Sequence, residues 1–544
     1  MILSLFIIIG LTLRVWMIGY GQPHVHFMDE GFHVYYGLNF GGGDLNPHDF
    51  AHPSLYFYLC FFVNALFILG GKLFGFFREL GDAWSLYKTD STIFYILARG
   101  VSAVLGTLTI PLVYFLGSKV FDKRTGFLAA FFLTFAYLHV QYSQVAYIDV
   151  PLTFFITGAV LNGVVAGHSG KLRDILFTGF LGGLAASTKY NGFITLMLGP
   201  LACFVSNHSR GKHLLSILVG KEIWLYFLIF VFAFTLGTPF WILDFPEFKK
   251  DLGVFFDFYK IGGVGHLGYE GRWNWIYYLV NPLQYGLGFP LEIVGWAGMF
   301  FFFARRNWQD LLWTLLPISY FIFMGRMDIR TPRYILPVVP FLCLGAAALL
   351  CLVVSKSFST RAKLGRSILL GLGMLLALPN IGRVLRYNYL KTFPDTRVQA
   401  HQWIQENLDS GNPILESLYG FTPKRAQFPA AKRLDATLFD TRVHHVSTLK
   451  SVEEYRKMGF KYLLMDEWHI GMALISEQLN PNRKSSAERY PAFLKELDQS
   501  VKLLKVFSPY KKEGVPFDTE NVEFASRYLW QMKSLGPTIR IYEL

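Results

Sequence analysis

Charged residues are scarce in this 544-residue sequence: Asp, Glu, Lys and Arg make up 16%, whereas hydrophobic residues make up 53%. A soluble globular chain carries about 25% charged residues, so this balance indicates a membrane protein. The net charge of +13 would suit a nucleic-acid binder. We reject that class because the basic residues lie mostly in short loops between apolar runs, where orientation in a membrane explains them.

Cysteine is also scarce, and all four cysteines lie inside apolar segments, where a thiol behaves as a small hydrophobe. They are Cys60, Cys203, Cys343 and Cys351. No CxxC or Cys/His spacing typical of a metal site occurs. The first apolar segment lacks a basic n-region and a small-residue cleavage site, so we expect it to stay as a membrane anchor.

Long apolar runs are abundant. A spanning helix needs about 20 apolar residues, or fewer where neighbours bury a break. Eleven spans are predicted near residues 2–20, 93–118, 126–147, 150–167, 174–187, 193–205, 221–243, 286–304, 310–325, 334–354 and 367–383. The short fifth and sixth spans are interpreted as half-helices that meet at one membrane surface. Residues 1–383 are therefore predicted to form an α-helical polytopic membrane domain.

A further apolar stretch, 54–77, decides the topology. If it is re-entrant or juxtamembrane and does not cross, every basic short loop falls on the cytoplasmic side, as the positive-inside rule requires. This interpretation gives a cytoplasmic N-terminus and an extracytoplasmic C-terminus. Under this topology the following segments lie on the outer face: the loop 21–53, the corner at Asp149, Lys189, the loops 244–285 and 326–333, and the tail after about residue 384.

The composition changes after about residue 384, and strands alternate with helices in a way that predicts a small α/β domain over 384–544. The predicted helices are Thr396–Leu408, Ser451–Met458 and Ala487–Leu497, and the predicted strands are Ile414–Leu418, Val443–Val446, Tyr462–Met465, 501–507 and 538–543. The whole tail is expected to be soluble and extracytoplasmic.

The candidate chemistry begins just outside the first span, with adjacent carboxylates at Asp29 and Glu30. A helix starting there places Asp29 and His33 on one face at i, i+4. Carboxylates beside histidine at a membrane surface suit general-base work on an acceptor hydroxyl or amine. The alternative is a helix N-cap with a first-turn acid, which the same residues also satisfy.

Three other outer segments carry polar candidates. His52 and Tyr56 open the stretch 54–77, where His52 could reach a phosphate, or the segment could be a plain interfacial turn with an aromatic belt. Asp149 lies between two spans, where it could cap a helix, although an ionisable group at membrane depth is functional by default. Lys189 and Tyr190 lie at the break between the half-helices, and the same argument applies to Lys189.

Arg330, Arg333 and Tyr334 lie in a short outer loop, against the positive-inside trend. Guanidinium groups match phosphate oxygens bidentately, so these arginines are candidates for binding a lipid phosphate, and contact with lipid headgroups is the alternative. His266 lies in a glycine-rich outer loop flanked by tryptophans that could stack on sugars or lie on the interface. Its GxGxxG spacing is not a nucleotide fingerprint, because no strand–helix unit surrounds it.

These motifs together resemble a known family. The Asp-Glu pair is followed in order by His-Pro-x-Leu-Tyr, an Asp-x-Pro-Leu-x-Phe-Phe corner, a Lys-Tyr-Asn break and an Arg-Tyr-x-Leu-Pro-x-x-Pro segment. The set resembles the dolichyl-phosphate-mannose-protein mannosyltransferase family of GT-C glycosyltransferases, which includes the aminoarabinose transferases that modify lipid A. The resemblance covers about 20–390, and Asp395 to Asn407 resembles the start of the outer domain of many bacterial members.

The resemblance implies an inverting glycosyltransferase of the plasma (inner) membrane that moves a sugar from a polyprenyl-phosphate donor to a lipid, glycan or protein acceptor. Asp29 matches the catalytic acid pair and would activate the acceptor, with Glu30 in support. Asp149 matches the second aspartate of the pocket, and Lys189 and Arg333 match positions near the carrier phosphate. The resemblance implies no required cofactor. A divalent metal is possible but unsupported, because the outer loops contain no DxD motif.

Two departures from the family narrow the substrate. Ser54 stands where a second proline or a lysine is usual, which argues against aminoarabinose as the sugar. No outer domain is inserted between the central spans, which argues against protein mannosylation of the eukaryotic kind.

Two competing functions remain. In a secondary transporter or lipid flippase, Asp149 and Lys189 would form a relay and the broken helix a substrate site. Against it stand the lack of an internal repeat and the clustering of polar residues at one face. In a sensor or scaffold, the tail domain would be the binding module.

Overall fold

The computed structural model describes residues 1–23, 27, 29–208, 220–260, 274–305, 307–327, 330–408, 414–417, 432–433, 450–467, 484–518 and 524–544. The predicted helical membrane domain and α/β tail are both present in this part of the chain. His266 and the predicted strand Val443–Val446 lie outside the described residues.

Helices dominate the first 390 residues. They are α1 (Ile2–Val15), α2 (Glu30–Asn39), α3 (Leu55–Leu73), α4 (Leu80–Thr89), α5 (Thr92–Val120), α6 (Lys123–Thr134), α7 (Tyr137–Tyr142), α8 (Asp149–Ser169), α9 (Leu172–Thr188), α10 (Leu198–His208), α11 (Lys221–Gly237), α12 (Phe240–Leu243), α13 (Phe245–Lys260), α14 (Trp275–Tyr278), α15 (Gln284–Leu287), α16 (Phe289–Ala304), α17 (Trp308–Arg326), α18 (Val339–Ser357) and α19 (Ala362–Leu390). Short 3-10 turns at Phe40–Gly42, Tyr190–Met197 and Pro332–Val338 and a π turn at Leu279–Leu283 join them.

The apolar runs form the expected membrane-length elements. Among the described residues, five helices are long and apolar enough to cross a membrane, and a sixth candidate is a pair bent by 115°. The five are Leu55–Leu73, Thr92–Val120, Asp149–Ser169, Pro332–Ser357 and Ala362–Leu390, and the bent pair is Trp275–Leu287 with Phe289–Ala304. With its membrane-length helices, the chain is an integral membrane protein; eleven crossings remain a prediction.

Helices α1 and α5 are antiparallel neighbours. Gly10 of α1 packs against the side chain of Ile110 in α5, and Arg99, nearer the start of α5, donates to the carbonyls of Ile18 and Tyr20 at distances of 2.8 and 3.0 Å. The end of α1 and the start of α5 therefore lie at the same face, and the segment between them leaves and re-enters the bundle there.

Helix α3 packs along the first turns of α5. Near its start, Tyr56 donates to the carbonyl of Ala98 at 2.9 Å, and further along, Phe67 lies 6.1 Å from Phe94, measured between ring centroids. Its path thus runs back towards the first turn of α5. The helix is continuous and contains no proline. Its length and hydropathy would also allow it to cross a membrane, so the re-entrant or juxtamembrane placement of 54–77 stays a prediction.

The predicted continuous span 126–147 is wrong, because α6 ends at Thr134 and a separate short helix, α7, follows. A break inside a membrane bundle frees backbone carbonyls that need donors. The buried guanidinium of Arg14 in α1 supplies them, with Nη atoms 3.3 Å from the carbonyl of Leu133 and 3.5 Å from that of Thr134. Arg14 also contacts Nδ1 of His139 in α7 at 3.1 Å.

The predicted break between the fifth and sixth spans is confirmed, whereas their interpretation as half-helices that meet at one membrane surface stays a prediction. Helix α9 ends at Thr188, Lys189 adopts an extended backbone with φ of −155° and ψ of 138°, and the chain resumes as a 3-10 turn before α10. The hydroxyl of Thr195 donates to the carbonyl of Gly192 at 2.7 Å. The break therefore presents Lys189 at one end of the bundle with its neighbouring backbone satisfied.

The tail contains α20 (Thr396–Asn407), β1 (Ile414–Ser417), β2 (Lys432–Arg433), α21 (Val452–Lys457), β3 (Tyr462–Asp466), α22 (Lys484–Ser500), β4 (Lys502–Phe507) and β5 (Ile539–Glu543). These strands form a mixed sheet in the order β2-β1-β3-β5-β4. Strand β1 is parallel to β2 and β3, and β5 is antiparallel to β3 and β4. The α/β class of the tail is confirmed.

The tail returns to the helical bundle between β4 and β5, which the sequence did not predict. Phe524, Leu529 and Met532 are fully buried in the same core as the membrane helices. Arg383 of α19 donates to the carbonyl of Ser526 at 2.9 Å. Helix α19 itself continues to Leu390, past the predicted boundary at 383.

Candidate active site

Four chain segments meet at the face where α1 ends. They are the first residue of α8, the residue after α9, the 3-10 turn before α18 and the residue before α2. These segments contribute Asp149, Lys189, Arg333 and Asp29 respectively. The four side chains form a continuous set of ion pairs, which we call the charge quartet.

Asp149 is the centre of the charge quartet. Its Oδ1 lies 2.6 Å from Nζ of Lys189, and its Oδ2 lies 3.5 Å from Nε of Arg333. Arg333 continues the set, with Nη2 at 2.6 Å from Oδ2 of Asp29. The start of a helix favours the negative charge of Asp149. Two carboxylates thus face two cations, and the set is neutral overall.

Burial differs sharply within the charge quartet. The side chains of Asp149, Arg333 and Lys189 are 2%, 4% and 7% exposed, whereas that of Asp29 is 30% exposed. Asp29 occupies the N-cap position of α2, but its side chain makes no capping hydrogen bond. The helix-cap alternative therefore does not explain Asp29, and Asp29 is the carboxylate of the set that an incoming molecule reaches.

Aromatic rings enclose the two cations. The ammonium of Lys189 lies 4.0 Å from the ring centre of Tyr334, and the guanidinium of Arg333 lies 4.4 Å from that of Tyr147. A cation over an aromatic face is stabilised by the ring quadrupole. These contacts leave the donor hydrogens of both cations directed at carboxylates, where a phosphate could compete for them.

Glu30 lies beside Asp29 in sequence but has a different environment. It is fully buried, and Arg99 donates to both of its carboxylate oxygens, from Nε to Oε1 at 2.7 Å and from Nη2 to Oε2 at 2.8 Å. Backbone amides of Ala146 and Phe27 also donate to it. Burial alone would raise the pKa of Glu30, but the Arg99 guanidinium and these amides hold that pKa below its ordinary value. Glu30 thus ties α2, α5 and the loop before α8 together.

Two imidazoles lie next to the charge quartet. Nδ1 of buried His33 lies 2.8 Å from the carbonyl of Ala146, so this nitrogen carries the proton. Nε2 of His33 then has a free lone pair, with no hydrogen-bond partner among the described residues. The ring of His52 is 6.1 Å from that of His33. Nε2 is placed to accept from a bound hydroxyl.

Burial lowers the pKa of His33 to about 4, and it lowers that of His52 to about 4 against the opposing effect of Asp29. In the unfolded chain these imidazoles become protonated near pH 6.5, whereas in the folded chain they stay neutral down to about pH 4. The free energy of unfolding should therefore fall as the pH drops from about 6.5 to about 4. Each imidazole contributes a slope of about 1.4 kcal/mol per pH unit.

This pH dependence can be measured by comparing the thermal unfolding midpoint of the protein in detergent at about pH 7 with its midpoint at about pH 5. His33→Gln should lose less stability than the wild type between the two conditions. His168→Gln, which alters an exposed imidazole at the end of α8, should behave as the wild type. An equal loss in all three proteins would contradict a neutral buried His33.

The remaining predicted residues divide into two groups. The hydroxyl of Tyr190 donates to the carbonyl of Phe50 at 2.8 Å and joins the 3-10 turn after Lys189 to the loop before α3. The hydroxyl of Tyr56 donates to a carbonyl of α5 and joins α3 to α5. The guanidinium of Arg330 lies 4.4 Å from the ring centre of Tyr277, on the α14 side of the site. Tyr334 contacts two members of the charge quartet, Lys189 and Arg333.

Two residues of the site were missed in the sequence analysis. Arg99 was a lone arginine inside the apolar run 93–118, and a charged residue in such a run signals a buried partner. Tyr147 gave no comparable signal, because tyrosine is common in this chain, with 29 copies. Within the described residues, no group of three His, Cys, Asp or Glu side chains is arranged to hold a metal ion.

Comparison with known proteins identifies related chains. Residues 61–248 match the model of the dolichyl-phosphate-mannose-protein mannosyltransferase family. The chain is 30% identical over 133 residues to dolichyl-phosphate-mannose–protein mannosyltransferase 1 of Saccharomyces cerevisiae. That match covers 23% of this chain and only 16% of the yeast protein.

Two solved structures share the fold over most of the chain. One is the oligosaccharyltransferase AglB of Archaeoglobus fulgidus in complex with an inhibitory peptide and a dolichol-phosphate, with a TM-score of 0.56, 14% identity and coverage of 89% of this chain and 71% of that one. The other is ArnT of Cupriavidus metallidurans in the apo state, with a TM-score of 0.51, 16% identity and coverage of 93% and 95%. The resemblance predicted from the motifs is therefore confirmed: the chain is a membrane protein with the GT-C glycosyltransferase fold, and its residues 61–248 are similar to the dolichyl-phosphate-mannose-protein mannosyltransferase family.

Proposed function

We propose that this protein is an inverting glycosyltransferase that moves a sugar from a polyprenyl-phosphate donor to a lipid, glycan or protein acceptor. The observation that carries the proposal is the charge quartet, in which the accessible Asp29 shares Arg333 with the buried Asp149. AglB, which shares the fold, is a transferase whose structure holds a dolichol-phosphate. That ligand chemistry agrees with the cations at the site of this chain.

The arrangement supports a single displacement. The acceptor hydroxyl or amine attacks the anomeric carbon while the bond from that carbon to the phosphate oxygen breaks, and the electron pair leaves with the phosphate. Asp29 takes the acceptor proton as general base. Lys189 and Arg333 stabilise the charge that grows on the leaving phosphate. In a single displacement the acceptor attacks from the side opposite the leaving group, so the anomeric configuration would invert.

The extracytoplasmic face of the plasma (inner) membrane is the proposed location of the reaction. The charge quartet lies at the start of α8, whereas Lys171 and Arg173 follow the other end of that helix. The positive-inside rule assigns such basic short loops to the cytoplasm. The site and the tail domain would then face outwards, away from soluble nucleotide sugars, which agrees with a lipid-linked donor.

A donor screen tests the proposal. Purified protein is incubated with a panel of labelled polyprenyl-phosphate sugars and a crude membrane extract as acceptor source, and release of the free carrier phosphate is followed. One donor should turn over, and EDTA should not abolish its turnover, since we expect no required metal. If no donor reacts while labelled lipid crosses proteoliposome membranes, the transporter function is supported instead.

The buried tail segment should influence the site through aromatic contacts. Phe524 stacks on Tyr142 at 6.2 Å, Tyr142 stacks on Tyr147 at 6.1 Å, and Tyr147 supports the guanidinium of Arg333. We expect Phe524→Leu to lower the transfer rate about threefold to tenfold by loosening Arg333. Phe493→Leu, in the separate core of the tail sheet, should leave the rate unchanged. Equal rates for both variants would show that the tail does not position the site.

A further inference from the structure

A second site candidate lies at the other end of the bundle. A cavity of about 340 Å³ opens between the turn joining α5 to α6, the end of α16, the end of α18 and the start of α19. Helix α18 separates it from the charge quartet, because the turn before α18 carries Arg333 and its last turns line the cavity at Ser355. At 1.5 Å per residue, the 19 residues of α18 span about 28 Å.

Three arginines from different parts of the chain line this cavity: Arg124 in the first turn of α6, Arg305 just after α16, and Arg366 near the start of α19. Arg305 has an acidic neighbour, with Nε at 3.6 Å from Oδ2 of Asp310. Neither Arg124 nor Arg366 forms an ion pair with any residue that the structure describes. The mouth of the cavity is therefore positively charged.

The acidic residue in the wall does not neutralise these charges fully. Asp122 caps α6, and its Oδ1 already accepts from the backbone amide of Thr125 at 2.8 Å. The rest of the wall is largely apolar, with side chains such as Leu352, Phe358 and Leu369. The cavity thus joins a cationic rim to an apolar wall at a membrane face.

We propose that this cavity binds the phosphate headgroup of an anionic phospholipid, with Arg124 and Arg366 on the phosphate and an acyl chain along Leu352 and Leu369. Orientation in the membrane explains basic loops on this face but does not require them to surround a cavity. A free phosphate ion would satisfy the arginines and leave the apolar wall in water. A lipid satisfies both, since its charged head and apolar tail match the two parts.

Cys351 provides a direct test because it lines the cavity and is partly exposed, whereas Cys60, Cys203 and Cys343 are buried. The rate of N-ethylmaleimide labelling is measured in nanodiscs of phosphatidylcholine alone or mixed with an equal amount of phosphatidylglycerol. Labelling should be about threefold or more slower in the mixed nanodiscs, because the bound lipid excludes the reagent. Inorganic phosphate added to phosphatidylcholine nanodiscs should give no protection.

Two double variants separate a specific site from general surface charge. Arg124→Gln with Arg366→Gln should abolish the protection by phosphatidylglycerol. Lys171→Gln with Arg173→Gln removes the same charge from the same face, outside the cavity, and should retain it. Equal labelling in both membranes, equal loss in both double variants, or protection by inorganic phosphate alone would overturn the proposal. None of these readouts depends on sugar transfer.

Discussion

Asp29→Asn is expected to lower the turnover number for release of the carrier phosphate by about 10²-fold to 10⁴-fold, the usual contribution of a general base. The amide keeps the size of the carboxylate but does not accept the acceptor's proton at neutral pH. The fold should survive, because Asp29 is 30% exposed and Arg333 keeps its second carboxylate, Asp149. The thermal unfolding midpoint should therefore change little.

The kinetic signature separates this role from donor binding. Loss of a base lowers kcat while the KM for the donor stays nearly constant, because the base acts on the acceptor. Lys189→Ala should instead raise the KM for the donor as well, since we propose that Lys189 contacts the phosphate. Asp29→Glu keeps the base on a longer side chain and should restore part of the rate.

A matched control is available in the same outer loop. Asp44 is a carboxylate with a side chain 63% exposed, and its partners are His48 and a backbone amide. Asp44→Asn removes the same charge and should keep the rate within about twofold, since exposed charges contribute little. If Asp29→Asn behaved as Asp44→Asn does, Asp29 would not be the base, and the displacement mechanism proposed for this site would fail.

Much of the membrane fold could be predicted from the sequence because hydrophobicity along a run is a local property. The half-helix break at Lys189 was equally local, as a polar residue interrupted two short apolar runs. The interruption of α6 after Thr134 was not, since the donor that satisfies its carbonyls, Arg14, comes from α1, about 120 residues away. An apolar run therefore predicts that a segment is buried but not where its helix breaks.

In the candidate site, too, local features could be predicted from the sequence, and features that depend on distant residues could not. Asp149, Lys189 and Arg333 stood out as ionisable groups near membrane depth, and the structure brings them together with Asp29. The roles within the adjacent acid pair could not be predicted from sequence. Asp29 and Glu30 differ in burial because Arg99, 69 residues from Glu30, takes both oxygens of one carboxylate and neither of the other.

Breaking the pair between Glu30 and Arg99 is expected to produce the largest loss of stability. Arg99→Met leaves a fully buried carboxylate without its cation, and removing one partner of such a pair costs about 3–5 kcal/mol. The thermal unfolding midpoint in detergent should fall strongly, and transfer should fall with it, because Glu30 holds α2 and therefore Asp29 in place.

The double variant tests whether the loss comes from the orphaned charge. Glu30→Gln combined with Arg99→Met removes both charges, and it should recover a large part of the unfolding midpoint lost in Arg99→Met alone. Lowering the pH gives an independent check. The pKa of Glu30 is held below its ordinary value, so the pair stabilises the fold above about pH 4.5, and this contribution is lost as the pH falls further. A double variant no more stable than Arg99→Met would show that packing of the arginine, and not its charge, holds α2 against α5.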